Sequence, residues 1–208
     1  MELVQGETLS EAGDEIEHIY FPTEGVISIL ATYATGDLIE VATVGREGFV
    51  GITAILDGLV NPGTHTVQMP GHAYVLRRDK FDRLVSEEPA FRALVKRYTD
   101  VFIYQIMISA ACNGAHTVEE RLARWLLMML DRSDAAAVTL THEFLADILS
   151  VRRATITDAL RRLEASGAIE RGRGRVEVRE RSMLTTASCE CYGMVLNYRK
   201  KNILRHAS

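Results

Sequence analysis

The stretch Leu149–Arg179, "LSVRRATITDALRRLEASGAIERGRGRVEVR", holds eight arginines and no lysine. Ile156, Leu160 and Leu163 recur at i, i+4 and i+7, the spacing of one buried helix face. Gly167 stands where a helix C-terminal glycine belongs, so "RATITDALRRLEASG" reads as a helix. Ala154, Thr157, Asp158 and Arg161 lie opposite its core face, and Arg153 stands at its exposed N-terminal edge. Upstream, "LTHEFLADIL" is a second helix with Thr141 as N-cap, joined to the first by the short turn "SVRR". Downstream, "AIER" and "RVEVR" are strands around Gly172-Arg173-Gly174. Val176 and Val178 point one way in the second strand, and Arg175, Glu177 and Arg179 the other.

Two helices with a tight turn and a basic hairpin make a winged helix-turn-helix. The second helix is then expected to enter a DNA major groove N-terminus first. That places Arg153, Ala154, Thr157 and Asp158 towards base edges, and Arg152, Arg161, Arg173 and Arg175 towards phosphates. Guanidinium forks match guanine O6/N7 and phosphate oxygens alike. The plainer alternative is a solvated face on which Arg161 and Arg162 pair with Asp158 and neighbouring acids.

The charge distribution favours the nucleic-acid reading. Residues 1–116 hold 8 Lys/Arg against 16 Asp/Glu, whereas residues 117–208 hold 16 against 12. The net charge of −4 therefore hides a basic C-terminal half suited to a polyanion. No lysine or arginine precedes Arg46, so the start lacks a signal peptide's basic region, and no apolar run approaches a membrane span. A cytoplasmic protein without membrane contact is expected.

Ten of the 15 glycines lie in residues 1–71. They punctuate short β-branched runs: "EHIYFP", "GVISILATY", "DLIEVATVG", "THTVQM" and "HAYVLRR". An antiparallel β-roll is expected, within an α+β chain. Helices follow from Asp79, a plausible N-cap, and a long one begins near Pro89. Its Phe91, Leu94, Tyr98, Val101, Gln105, Ile108 and Cys112 are spaced 3-4-3-4-3-4, a coiled-coil seam that predicts a homodimer. The alternative is a stripe lying on the chain's own β-domain, with Phe102 and Ile106 available for that face. Asn113-Gly114 then reads as a stop or hinge, and "VEERLARWLLMMLDR" as the next helix. The expected division is 1–88, a β-roll; 89–115, a dimerisation helix and hinge; and 116–208, the winged helix with a C-terminal extension.

No phosphate loop, H-E-x-x-H or G-x-S-x-G appears, so an enzyme is not expected. Cys189 and Cys191 could share a soft metal, and Cys112 could serve redox or metal sensing, but structural zinc wants four ligands. With no fourth donor in view, the expectation is three small buried hydrophobes, no metal and no cofactor. Two further functions stay open: a regulator sensing redox state or metal through Cys112 or Cys189/Cys191, and a small-molecule-binding roll whose basic wing meets protein.

"YFPTEGVISIL", "GDLIEVATVGREGFVG", the long helix and "LTHEFLADILSVRRATITDALRRLEASGAIERGRG", in this order, resemble the CRP/FNR superfamily of bacterial transcription regulators. The closing "CECYGMVLNYRK" is similar to a subgroup carrying such a motif after the wing. The resemblance implies a cyclic-nucleotide-binding-like roll, a dimerisation helix and a winged helix on a two-fold operator, with RNA polymerase as a further partner. It assigns Arg153 to a guanine and Thr141 to the DNA backbone. Ala154 falls where many members have glutamate. The effector pocket implied around Gly51, Ile52, Pro62, Gly63, Thr64 and His65 is degenerate. Ile52 replaces a ribose-holding glutamate, and no arginine clamp for a cyclic phosphate follows. Control by cyclic AMP or cyclic GMP is therefore not expected, and the effector is left unknown.

Overall fold

The computed structural model describes residues 1–36, 38–133, 135 and 137–203. Strands β1 (Glu2–Leu3), β2 (Thr8–Ser10), β3 (His18–Thr32), β4 (Leu38–Val44) and β5 (Thr64–Arg77) form an antiparallel sheet of order β1-β5-β3-β4, with β2 also on β5. A 3-10 turn, Ile52–Leu56, follows β4. The helices α1 (Arg78–Glu87), α2 (Pro89–Ala115) and α3 (Val118–Arg132) come next. The chain then runs through β6 (Ala137–Thr139), α4 (His142–Ile148), α5 (Arg153–Ala165), β7 (Ile169–Gly172), β8 (Arg175–Val178), α6 (Arg181–Ala187) and α7 (Cys191–Asn202). The fold is α+β, with the roll first and the winged helix last.

Two expected turns are bulges inside long strands. "TEG" does not separate two strands: β3 runs through it, with register shifts against β5 between Pro22 and Ile27. Gly25 takes φ +82°, and a Cβ there would stand 2.6 Å from the Met69 carbonyl oxygen. Likewise, "THTVQM" and "HAYVLRR" are one strand, β5. A bulge bends a strand while pairing continues on both sides, so glycine marks curvature here. The expected break between "GVISILATY" and "DLIEVATVG" falls at Gly36 and Asp37, and Asp37 lies outside the described residues. Asp79 is in the first turn of α1, which Arg77 precedes as N-cap.

Alternate residues of β3 serve two cores, as the period of a strand requires. Ile27 and Ile29 point into the roll with Val44, Val67 and Phe81. Val26 and Leu30 point outward and join Trp125, Leu126 and Met129 of α3. This is why α3 is buried nearly all round: the roll covers one side, and α5 and α6 the other. Its N-terminus carries a full capping box, Thr117 with Glu120.

The long helix departs most from expectation. It continues through Asn113-Gly114 to Ala115. Of the seven seam positions, Tyr98, Val101, Gln105 and Cys112 are buried inside this chain, Phe91 and Ile108 are half-buried, and only Leu94 is exposed. Tyr98 stacks obliquely on Phe49, against Gly48, where a Cβ would overlap its ring. Gln105 Nε2 donates to the Thr43 carbonyl (3.0 Å). The 3-4 stripe is therefore the face that α2 turns to its own roll and to α7. A different 3-4 row is exposed: Lys96, Asp100, Ile103, Met107, Ala110 and Gly114. The C-terminal extension also leaves the winged helix, since α7 returns along α2. Tyr198 stacks on Tyr104 at 4.0 Å and donates to Asp100 (2.8 Å).

Candidate nucleic-acid interface

Thr141 caps α4, its hydroxyl accepting from the Phe144 N–H (3.1 Å). Leu149 and Ser150 turn the chain, with Ser150 at φ +52°. Arg152 is the N-cap residue of α5. Ile156, Ala159, Leu160 and Leu163 are buried, which leaves Arg153, Ala154, Asp158 and Arg161 in solvent and Thr157 half-buried. The wing is a three-stranded sheet, β6-β8-β7. The sequence reading missed β6, a three-residue strand too short to show alternation.

The eight arginines divide by partner. Arg161 pairs with Asp158 (3.0 Å) and Arg162 with Glu119 of α3 (2.8 Å). Arg171 pairs with Glu164 and so fastens the wing to α5; Arg175 pairs with Glu177, and Arg179 with Glu170 and Glu177. Arg152, Arg153 and Arg173 are exposed and make no ion pair among the described residues. A groove of about 370 Å³ runs between Thr141, His142 and Glu143 at the start of α4, Arg153 of α5, and Arg171, Gly172, Gly174, Arg175 and Val176 of the wing. The sequence reading overlooked His142. Its Nδ1 lies 3.1 Å from the Thr157 hydroxyl, which also bonds the Arg153 carbonyl. Burial, with the Arg153 and Arg171 charges, holds the His142 pKa below its usual value, so the ring is neutral at pH 7.

The six residues of the implied effector pocket lie at the 3-10 segment and at the start of β5. Gly51 turns the chain at φ +95° into the 3-10 segment that Ile52 begins. Gly63 is buried, and a Cβ there would stand 2.6 Å from the Leu30 carbonyl oxygen. His65 is buried with its Nδ1 2.8 Å from the Ser10 hydroxyl, and burial pushes its pKa down to about 4. Of the nearby arginines, Arg78 holds the Gly58 carbonyl and Asp82, and Arg77 holds Asp79. Pro62 is exposed and Thr64 half-buried.

Two ties join the roll to α3, and a third joins α3 to α2. Trp125 Nε1 donates to Glu40 (2.8 Å), Arg132 pairs with Glu47 (2.5 Å), and Arg132 also donates to Gln105 (2.8 Å). Near the end of α2, Cys112, His116, Cys189 and Cys191 converge. The missing fourth donor of the sequence reading is thus His116. Its i, i+4 spacing from Cys112 was the signal available.

The cyclic nucleotide-binding domain family matches residues 1–88, and the Crp-like helix-turn-helix domain family matches residues 120–187. No curated protein matches the chain. Among solved structures, a CRP-family transcriptional regulator from Thermus thermophilus, TTHB099, is 22% identical, with a TM-score of 0.75 over 90% of this chain and 96% of that one. FixK2 from Bradyrhizobium japonicum is 17% identical, with a TM-score of 0.70 over 91% and 96%. The c-di-GMP responsive regulator CLP of Xanthomonas campestris is 15% identical, with a TM-score of 0.65 over 86% and 92%. At such identities the structures establish a shared fold. Two domain families in the order of these regulators, on one continuous fold, mean that this chain belongs to the CRP/FNR superfamily of transcription regulators.

Proposed function

We propose that the protein is a homodimeric, sequence-specific DNA-binding regulator that reads a two-fold operator and is not controlled by cyclic AMP or cyclic GMP. The observation that carries this reading is the open groove between α4, α5 and the wing, with Arg153 in its lining and the exposed Arg152 and Arg173 adjacent in sequence to its lining residues, none of the three in an ion pair among the described residues. Exposed guanidiniums without internal counter-ions are available to guanine edges and phosphates. Arg153, Ala154, Thr157 and Asp158 face the bases. Thr141, Arg152, Arg161, Arg173 and Arg175 meet the backbone, Arg161 and Arg175 exchanging their carboxylate partners for phosphate. The chain works in three parts, 1–88, 89–115 and 116–208, in the cytoplasm where its DNA is. RNA polymerase is the protein partner this role implies.

The dimer forms across the exposed α2 row of Ile103, Met107, Ala110 and Gly114. The inward seam is already occupied. Small residues near the C-terminal end of the row let two helices approach closely. The roll acts as a scaffold, or takes an effector less anionic than a cyclic nucleotide.

Binding titrations at several salt concentrations, on a site selected from random DNA and on unrelated DNA, test the division of labour. Arg153→Ala should cost about 1–3 kcal/mol on the selected site and little elsewhere. Arg173→Ala should weaken all sequences alike and lower the salt slope by about one. Equal losses on both DNAs for Arg153→Ala would remove its base-reading role.

A further inference from the structure

Four side chains of soft-metal chemistry meet where the long helix ends. Cys112 and His116 stand one helical turn apart at the C-terminal end of α2, and the His116 N–H closes that turn on the Cys112 carbonyl (3.1 Å). Cys189 and Cys191 come from the loop and first residue of α7, 73 or more residues later in the chain. One ligand atom from each of the four lies within 4.8 Å of all the others. The three thiols are buried and free, and His116 is half-buried.

The separations match a tetrahedron. Zinc–sulfur bonds of about 2.3 Å imply tetrahedral edges of about 3.8 Å. Cys112 Sγ and Cys189 Sγ are 3.5 Å apart, and Cys191 Sγ and His116 Nδ1 are 3.7 Å apart. Both distances far exceed the roughly 2.05 Å of a disulfide. A four-iron cluster has to stand between its ligands, and donors this close leave it no room.

Two independent features of the surroundings agree. His116 turns Nδ1 to the thiols and places Nε2 3.1 Å from the Glu190 carboxylate. That is the carboxylate–histidine arrangement that orients an imidazole towards a metal. Arg121 and Arg124 are buried, make no ion pair among the described residues, and leave both Nε atoms without a hydrogen bond. A buried cation without a counter-charge is costly. Three thiolates around a dication carry a net negative charge, which supplies the missing partner.

We propose that Cys112, His116, Cys189 and Cys191 form a tetrahedral Cys3His site for Zn2+, with Glu190 orienting His116. The site joins the end of α2 to the start of α7, one residue before the Thr117 cap that opens α3. It therefore fixes the hinge between the long helix and the DNA-binding half. Metal binding deprotonates the thiols, and the protons go to solvent.

The full-length chain, reduced and stripped with a chelator, should take up one Zn2+ per chain and lose all three reactive thiols on loading. Cobalt(II) in its place should give the intense visible bands and thiolate charge transfer of a tetrahedral site. His116→Ala should abolish the cobalt spectrum. Glu190→Gln, an exposed and conservative change, should weaken zinc binding 10- to 100-fold while the fold is retained by circular dichroism. Neither readout involves DNA, so failure here is distinct from failure of the regulatory reading. Three thiols still reactive at saturating zinc would overturn the proposal. So would unchanged zinc affinity in His116→Ala, or a chain that prefers a Cys112–Cys189 disulfide to metal.

Discussion

Glu40 shows how one residue couples two parts of the molecule through a proton. It lies on β4, and its carboxyl takes hydrogen bonds from Ser28 (2.6 Å) and from Trp125 of α3 (2.8 Å). Burial raises its pKa to about 7, against those bonds and the Arg124 and Arg132 charges. A carboxyl whose folded pKa is raised contributes stability that is full below its unfolded value near 4.5 and is lost as pH rises through about 7. A shift of that size corresponds to about 3 kcal/mol for a dry group, and to ~2 kcal/mol for this half-buried residue. Glu40→Gln keeps an acceptor for Trp125 and offers Ser28 a donor. It should stabilise the protein by ~2 kcal/mol at pH 8 and leave it unchanged at pH 4, in urea unfolding at both values. An equal loss at both would mean that the tie needs the two oxygens of the carboxyl group whatever its charge. His65 acts with the opposite sign. With a folded pKa of about 4, its contribution is intact above its ordinary value near 6.5 and is lost as pH falls towards 4.

At the level of elements, α2 carries two 3-4 rows with different tasks. The inner row meets the roll and α7, with Val101 facing Tyr192, Val195 and Leu196. The outer row leaves Ile103 and Met107 about half exposed, at 46% and 61%. It is across this apolar surface at helical spacing that we propose a second copy docks. Ile103→Glu should give a folded monomer by sedimentation, because it places two like charges near a two-fold axis. Val101→Glu should instead lower thermal stability without first passing through a monomer, since its charge is buried within one chain. An Ile103→Glu variant that sediments as a dimer would move the interface elsewhere. The wing shows the same economy of position: Arg171–Glu164 holds it against α5, and the Gly172–Gly174 tip carries Arg173 into solvent.

For the whole molecule, the question is whether the roll takes a cyclic nucleotide. A buried phosphate needs a cation, and His65 is neutral while Arg77 and Arg78 hold acids and carbonyls of their own. Operator binding should be unaffected by millimolar cyclic AMP or cyclic GMP. Calorimetry should show no saturable heat; stoichiometric binding in the micromolar range would overturn this expectation. The Glu40–Trp125 and Glu47–Arg132 contacts, with the packing of Val26 and Leu30 on α3, hold α3 against the roll and join it to the DNA-binding half.

The sequence by itself determined the winged helix, the start of the long helix at Pro89 and the strand-rich first domain. These rest on local periodicity and on glycine and N-cap placement, which act over a few residues. It also exposed the arginine cluster, but not its division. Which guanidiniums stay unpaired depends on acids brought close by folding, such as Glu119 to Arg162. Only the tertiary structure decided that "TEG" is a bulge, because a glycine at φ > 0 serves a turn and a bend equally well. It alone decided which 3-4 row of α2 faces inward. Both rows satisfy helical spacing, and the roll and α7 claim the one that carries Tyr98 and Gln105. The gathering of Cys112 and His116 with Cys189 and Cys191 was likewise out of reach, because chain separation carries no distance and the return of α7 along α2 closes the gap.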